Sequence, residues 1–291
     1  MRFSSSGILV SLSVLFFALG TLPSSALHQK RESRSDLEVR GVFAGRSQES
    51  TRYMTHHELL SMAPVNFTVT DDSNFTGPTR IRGVKLEDLM RRLTAPSSAD
   101  MVVAISEDGY RANYPPDYLA THEPVLVLEV NGKPPAGWPK DSQEHKFDMG
   151  PYMISHEKFS PAYKILSHFD EAQIPWGVVR LEFREEKIVF GAIAPRGPHA
   201  PDRPVQDGYS IAEQNCFRCH NAGREGGQKS GRSWESLGTL AASSPGAFKE
   251  YIRSPLSQNA DAKMPGNPQY DDATLAALTA YFATFSGTTH P

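Results

Sequence analysis

Cys216-Phe217-Arg218-Cys219-His220 contains both cysteines of the 291-residue chain, one helical turn apart, with a histidine directly behind the second. Two adjacent cysteines with no others are not a disulfide framework, which needs thiols spread along the chain to cross-link it. A redox dithiol belongs in a βαβ setting, whereas the residues around this pair read as helices. A zinc site needs four ligands, and beyond these three only His290, in the C-terminal tail, offers another histidine or cysteine in this half. A structural disulfide would leave His220 unexplained.

The remaining reading uses all three residues. C-x-x-C-H is the pattern of covalent haem attachment: two thiols a turn apart reach the two vinyl groups on one porphyrin edge and form thioethers. The next residue then projects its imidazole at the iron. Cys216 and Cys219 are therefore expected to carry one haem c, with His220 as an axial ligand. Because the haem is bonded to the chain, a small all-α domain is enough to hold it. The sixth ligand is sought by elimination. Between Val205 and Pro291 the one methionine is Met264, in Lys263-Met264-Pro265-Gly266-Asn267-Pro268. A methionine in a polar Pro/Gly loop is poorly placed for core packing, so Met264 is expected on the iron, with His290 as the alternative. Methionine opposite histidine raises the potential and fills the coordination sphere, which suits electron transfer.

Outward from the motif, the helical reading extends over residues 205–291. Gly208 to Asn215 leads into the cysteines, Ser233 caps Trp234 to Ala241, and Ser244-Pro245 starts a helix that ends before Pro255. Asp271-Asp272 opens a last helix with Leu275, Leu278 and Phe282 on one stripe. Upstream, Ala194 to Pro204 holds four prolines and is expected to be a linker over 195–204. Ahead of it the pattern is strand-rich. Leu37 to Val42, Val65 to Thr70, Met101 to Ile105, Tyr110 to Tyr114, Val125 to Val130, Val178 to Phe183 and Lys187 to Ile193 read as strands. Thr55-His56-His57-Glu58 is a capping box opening a short helix, and Val84 to Leu93 reads as another. Glu107-Asp108-Gly109 and Asn131-Gly132 are turn signals. Residues 37–194 are thus expected to form an α+β domain with a mainly antiparallel sheet.

The chain opens like an export signal. Arg2 precedes an apolar run from Ile8 to Gly20, and Ser24-Ser25-Ala26 offers a cleavage site after Ala26. The run is short for a membrane anchor and is followed by Pro23, so no integral membrane span is expected after cleavage of residues 1–26. A formal net charge of −3 without basic runs argues against nucleic acid and anionic membrane as partners. The helical half carries no lysine excess, so a redox protein partner would dock through weak charge or through the other domain.

Residues Gly208 to Phe285 resemble the class I cytochrome c family. The likeness rests on Gly208 and Tyr209, the Cys216–His220 motif, Met264-Pro265, and the pair Tyr281-Phe282. It implies that first and last helices cross where Gly208 admits Tyr281 or Phe282. The first domain is similar to the molybdopterin-binding domain of the sulfite-oxidase type over residues 52–185. The matching elements are Gly83-Val84-Lys85-Leu86-Glu87-Asp88-Leu89-Met90, Asp108-Gly109-Tyr110, Pro124 to Pro134, Gly150-Pro151, and Pro175-Trp176-Gly177-Val178 to Glu182. In that family a protein thiolate ligates molybdenum. Here both cysteines are taken by the haem motif, and Thr70 to Phe75 offers no cysteine, so a working molybdenum centre is not expected and molybdopterin is disfavoured. His145, His156 and His168, with His56-His57, are conceivable metal ligands but more simply scattered histidines. Asn66-Phe67-Thr68 and Asn74-Phe75-Thr76 match the glycosylation sequon by chance.

The expectation is a mono-haem electron-transfer protein of the bacterial periplasm, whose first domain docks a redox partner. Two alternatives stand beside it: a first domain that exchanges electrons between a small substrate and the haem, or one that serves as a sensor or assembly module.

Overall fold

The computed structural model describes residues 27–62, 64–138, 149–157, 159, 164–166, 168–169 and 172–287. The expected signal segment 1–26, His145 and His290 lie outside the described residues. Among the described residues, no helix is long and apolar enough to cross a membrane.

A nine-stranded mixed sheet occupies the first half. In chain order the elements are β1 (Leu37–Gly41), β2 (Ser50–Met54), α1 (His56–Leu60), β3 (Val65–Val69), β4 (Thr79–Lys85) and α2 (Leu86–Leu93). Next come β5 (Met101–Ser106), β6 (Arg111–Tyr114), α3 (Pro116–His122), β7 (Val125–Val130) and β8 (Tyr152–Ser155). The two-residue strands β9 (Lys164–Ile165) and β10 (His168–Phe169) pair with each other, and β11 (Trp176–Arg184) closes the sheet. The main path runs β2-β1-β11-β8-β7-β4-β3, with β5 on β11 and β6 on β5. All of its pairs are antiparallel except β1 with β11.

Local signals account for much of this. Thr55 caps α1 with the reciprocal Glu58 bond of a capping box. The turn at Asp108-Gly109 joins β5 to β6, with Gly109 at φ 82° supplying the left-handed conformation that L side chains rarely adopt. The continuous apolar run of β5 has a specific cause. Val102 and Ala104 enter the core under α1 to α3, while Met101 and Val103 enter a second core shared with the helical half. A strand covered on both faces has no polar side to alternate with.

Helix α4 (Glu186–Gly191) follows the sheet, and the helical half comprises α5 (Arg203–Asn215), the short hairpin β12 (Asn221–Ala222) and β13 (Glu225–Gly226), α6 (Trp234–Ser243), α7 (Pro245–Arg253), α8 (Pro255–Gln258) and α9 (Asp272–Ala283). Ser233 and Asp271 cap α6 and α9 through their side chains, as their positions in the sequence imply.

Three expectations are corrected. Lys187 to Ile193 is not a strand: α4 covers Glu186–Gly191. Val189, Phe190 and Ile193 are buried and Ile188 is half exposed, so the apolar spacing is helical and tertiary burial overrides the β-preference of the run. Val84 and Lys85 close β4, and the helix starts at Leu86. The proline-rich stretch does not run to residue 204 as linker, because α5 begins at Arg203 with Pro204 in its first turn. There a missing N–H forfeits no helical bond.

Candidate haem site

Helix α5 delivers the motif. Cys216 N–H donates to the Ala212 carbonyl, so the helical path continues into the first cysteine. Cys219 and His220 N–H both donate to the Cys216 carbonyl, at 3.2 and 3.0 Å, which bends the five residues into one compact turn. The following loop wraps back onto it. Gly227 N–H donates to the Phe217 carbonyl and Ser230 N–H to the Cys219 carbonyl, each at 2.9 Å. This return requires two glycines: a Cβ on Gly226 would lie 2.4 Å from the His220 carbonyl oxygen, and one on Gly227 1.8 Å from that of Arg218. The Gly226-Gly227 doublet shortly after His220 is the sequence signal for this close approach.

His220 is buried, and its Nδ1 lies 2.8 Å from the Arg232 carbonyl oxygen. A carbonyl only accepts, so Nδ1 carries the proton and Nε2 keeps its lone pair, the tautomer a metal-binding imidazole needs. Burial lowers the pKa of His220 and so favours the neutral ring. Burial also pushes the Cys216 thiol up to about 12 and raises that of Cys219. A reactive dithiol needs the opposite shift, whereas neutral thioether sulfurs suit such a setting. The donor set thus fits a covalently held haem.

Met264 is partly buried and packs against the same core as Cys216. Its loop is tied down on both sides. Asn267 N–H donates to the Ile252 carbonyl at 3.0 Å, and the Asn215 side-chain amide donates to Tyr270 Oη at 2.6 Å, one residue ahead of Cys216. Behind the motif lies an aromatic core. Phe217 meets Trp234 edge-on at 5.4 Å, Trp234 Nε1 donates to Tyr281 Oη at 3.0 Å, and that hydroxyl donates to the Ile193 carbonyl. Helices α5 and α9 cross at Gly208, where a Cβ would stand 2.2 Å from the Ala277 carbonyl oxygen and 2.7 Å from Tyr281 Cβ. Tyr281 therefore faces Gly208, while Phe282 packs against Trp234 and Phe248.

The sheet grips the motif from the other side. Arg111 N–H donates to the Arg218 carbonyl and Gln228 N–H to the Gly109 carbonyl, both at 2.9 Å. The Arg111 guanidinium meets Glu225 at 2.7 Å, and Lys229 pairs with Asp108. Between the two halves a cleft of about 480 Å³ is lined by Ser73, Asn74, Tyr110, Trp176, Arg218 and Lys229.

Of the histidines singled out in the sequence, the described His56, His57 and His156 have separate surroundings. His56 binds the Leu128 carbonyl at 2.9 Å and His57 is exposed. His156 is buried beside His122, Tyr118 and Phe159. Among the described residues, no group of three histidine, cysteine or carboxylate side chains could hold a metal ion.

Residues 203–282 match the family model described as cytochrome c oxidase, cbb3-type, subunit III. No curated protein matches the chain. The match makes residues 203–282 a cytochrome c domain, which implies haem c and electron-transfer partners and supports a haem-containing electron-transfer protein.

Proposed function

We propose that the chain is an exported, periplasmic mono-haem cytochrome in which Cys216 and Cys219 form the thioethers, His220 and Met264 are the axial ligands, and the sheet domain docks the redox partner. One observation carries this reading: the C-x-x-C-H turn holds a buried imidazole whose Nδ1 is committed to the Arg232 carbonyl, leaving Nε2 for a metal. When bound, the haem supplies a one-electron couple. The protein's residues do the rest. Arg232 fixes the His220 tautomer and orientation. Asn267 and Tyr270 tether the Met264 loop to α7 and to the end of α5. Phe217, Trp234 and Tyr281 exclude water from the back of the turn. The domain boundaries that go with this reading are 37–194 for the sheet domain, its sulfite-oxidase-type likeness resting on the motifs given above, and 205–291 for the cytochrome.

Acid–acetone extraction tests the attachment: the red colour stays with the protein. Met264→Ala tests the sixth ligand, with loss of the weak sulfur-to-iron absorption of the oxidised protein and a lower potential expected. An unchanged spectrum excludes Met264.

The enzyme reading has the cleft beside Arg218 in its favour, since a pocket of this size at a domain junction is where small substrates are commonly held. Metal and pterin analysis of the purified protein separates the two readings. Iron alone, at one per chain, supports the carrier, and stoichiometric molybdenum or another metal supports the enzyme.

A further inference from the structure

Arg111 belongs to β6 of the sheet, yet three of its contacts concern the haem-attachment turn and the hairpin behind it. Its N–H donates to the carbonyl of Arg218, and its guanidinium carbon stands 5.9 Å from the centroid of the Phe217 ring. Both residues between the two cysteines therefore touch it. Its guanidinium also holds Glu225, which is followed by the two glycines packed against the carbonyls of His220 and Arg218. Finally, Nε donates to Asn113 at 3.3 Å, which orients the fork.

The electrostatics are asymmetric. On the sheet side stand Arg111 and Arg184 with Glu182, which is shared between Arg184 at 3.2 Å and Arg180 at 3.5 Å. Arg180 in turn pairs with Glu38. From the cytochrome side Glu225 bridges Arg111 and Arg184, and Arg224 lines the same pocket. The Arg111 side chain is 5 % exposed and that of Glu225 12 %, so water screens the pair poorly. A buried ion pair is costly to break from one side, because the survivor is left charged in a poorly solvated place.

We propose that Arg111 is a positioning residue of the haem site: the sheet domain holds the attachment turn in place through it, and the Arg111–Glu225 pair sets the electrostatic field at the haem. This rests on the haem reading above. It goes beyond that reading by making the sheet domain part of the redox centre rather than only a docking platform. A cation near the iron favours the reduced, less positive state, and an anion favours the oxidised one.

The test uses the full-length holoprotein and three variants: Arg111→Met, Glu225→Gln and Arg111→Lys. Covalent haem is checked first by haem stain after denaturing electrophoresis, and the midpoint potential is then measured by spectroelectrochemistry. Arg111→Met leaves Glu225 in excess and should lower the potential. Glu225→Gln leaves the arginines in excess and should raise it. Arg111→Lys keeps the charge and should lie closer to wild type than Arg111→Met. Limited proteolysis of residues 195–204 should be faster in both neutralised variants. Shifts of the same sign in both, or potentials equal to wild type, overturn the proposal, since loosening of a merely structural contact acts in one direction whichever partner is removed. Failure of the wild-type protein to retain haem overturns the underlying reading instead. If a neutralised variant fails to fold, Arg184→Gln, which removes the other cation held by Glu225, carries the decision: a lowered potential supports the field and a potential equal to wild type overturns it.

Discussion

Acid should destabilise the sheet domain through His156. The residue is 3 % exposed, its Nε2 lies 3.1 Å from Tyr118 Oη, and its Nδ1 has no hydrogen-bond partner among the described residues. Burial first, and His122 beside it second, hold its pKa at about 3 against the ordinary 6.5. The folded state keeps the ring neutral where the unfolded chain protonates it. Its contribution is therefore complete above pH 6.5 and is lost as pH falls from there towards 3. Two pH units below the unfolded value, at about 1.4 kcal/mol per unit, the loss is about 2.7 kcal/mol, against a typical domain stability of about 5–15 kcal/mol. Glu213 acts in the opposite sense. Burial raises its carboxyl to about 7 from 4.5, so its contribution is present at low pH and lost as pH rises from 4.5 to 7. The two effects overlap and nearly cancel in the intact protein, so the wild-type stability curve alone is uninformative. His156→Gln, neutral at every pH, isolates the first. Guanidinium unfolding would be followed through the fluorescence of Trp138 and Trp176, both on the sheet side. Between about pH 7 and about pH 4.5 the variant should lose about 2.7 kcal/mol less than wild type. Stability curves for the two proteins that stay parallel to within about 0.5 kcal/mol over that interval would refute the reasoning.

Two further outcomes concern the helical half. Gly208→Val should force α5 away from α9, because its Cβ alone would overlap the Ala277 carbonyl; a loss of about 1–3 kcal/mol or more is expected, read as a lower thermal midpoint by far-ultraviolet circular dichroism. Asp271→Ala removes the acceptor for Thr274 N–H at 2.7 Å and should cost about 1 kcal/mol, while Asp271→Asn should recover most of it in the same measurement.

The legibility of this protein divides along the range of the interactions involved. The Cys216–His220 motif, the caps at Thr55, Ser233 and Asp271, and the turn at Gly109 each involve residues within a few positions of one another, so their order along the chain already states their chemistry. Lys187 to Ile193 was misread because its β-branched residues favour a strand locally, and only the packing of Val189, Phe190 and Ile193 into the core beside β5 makes a helix the better solution. β2, β4 and α3 likewise owe their form to neighbours distant in the chain. Thr79–Lys85 carries a bulge between Arg82 and Gly83, where Gly83 approaches Leu126, a feature that exists only once β7 lies beside it.

By itself, then, the sequence marked out the donor set behind the proposed haem site: two thiols and an imidazole at a spacing that would suit one porphyrin edge and one metal. It also determined an α+β first half with a mainly antiparallel sheet. Tertiary structure alone decided how the halves meet. Arg111 and Glu225 are 114 positions apart, and nothing in either neighbourhood names the other. Their pairing comes from a sheet strand and a glycine hairpin being brought face to face, where burial makes each charge depend on a partner across the junction.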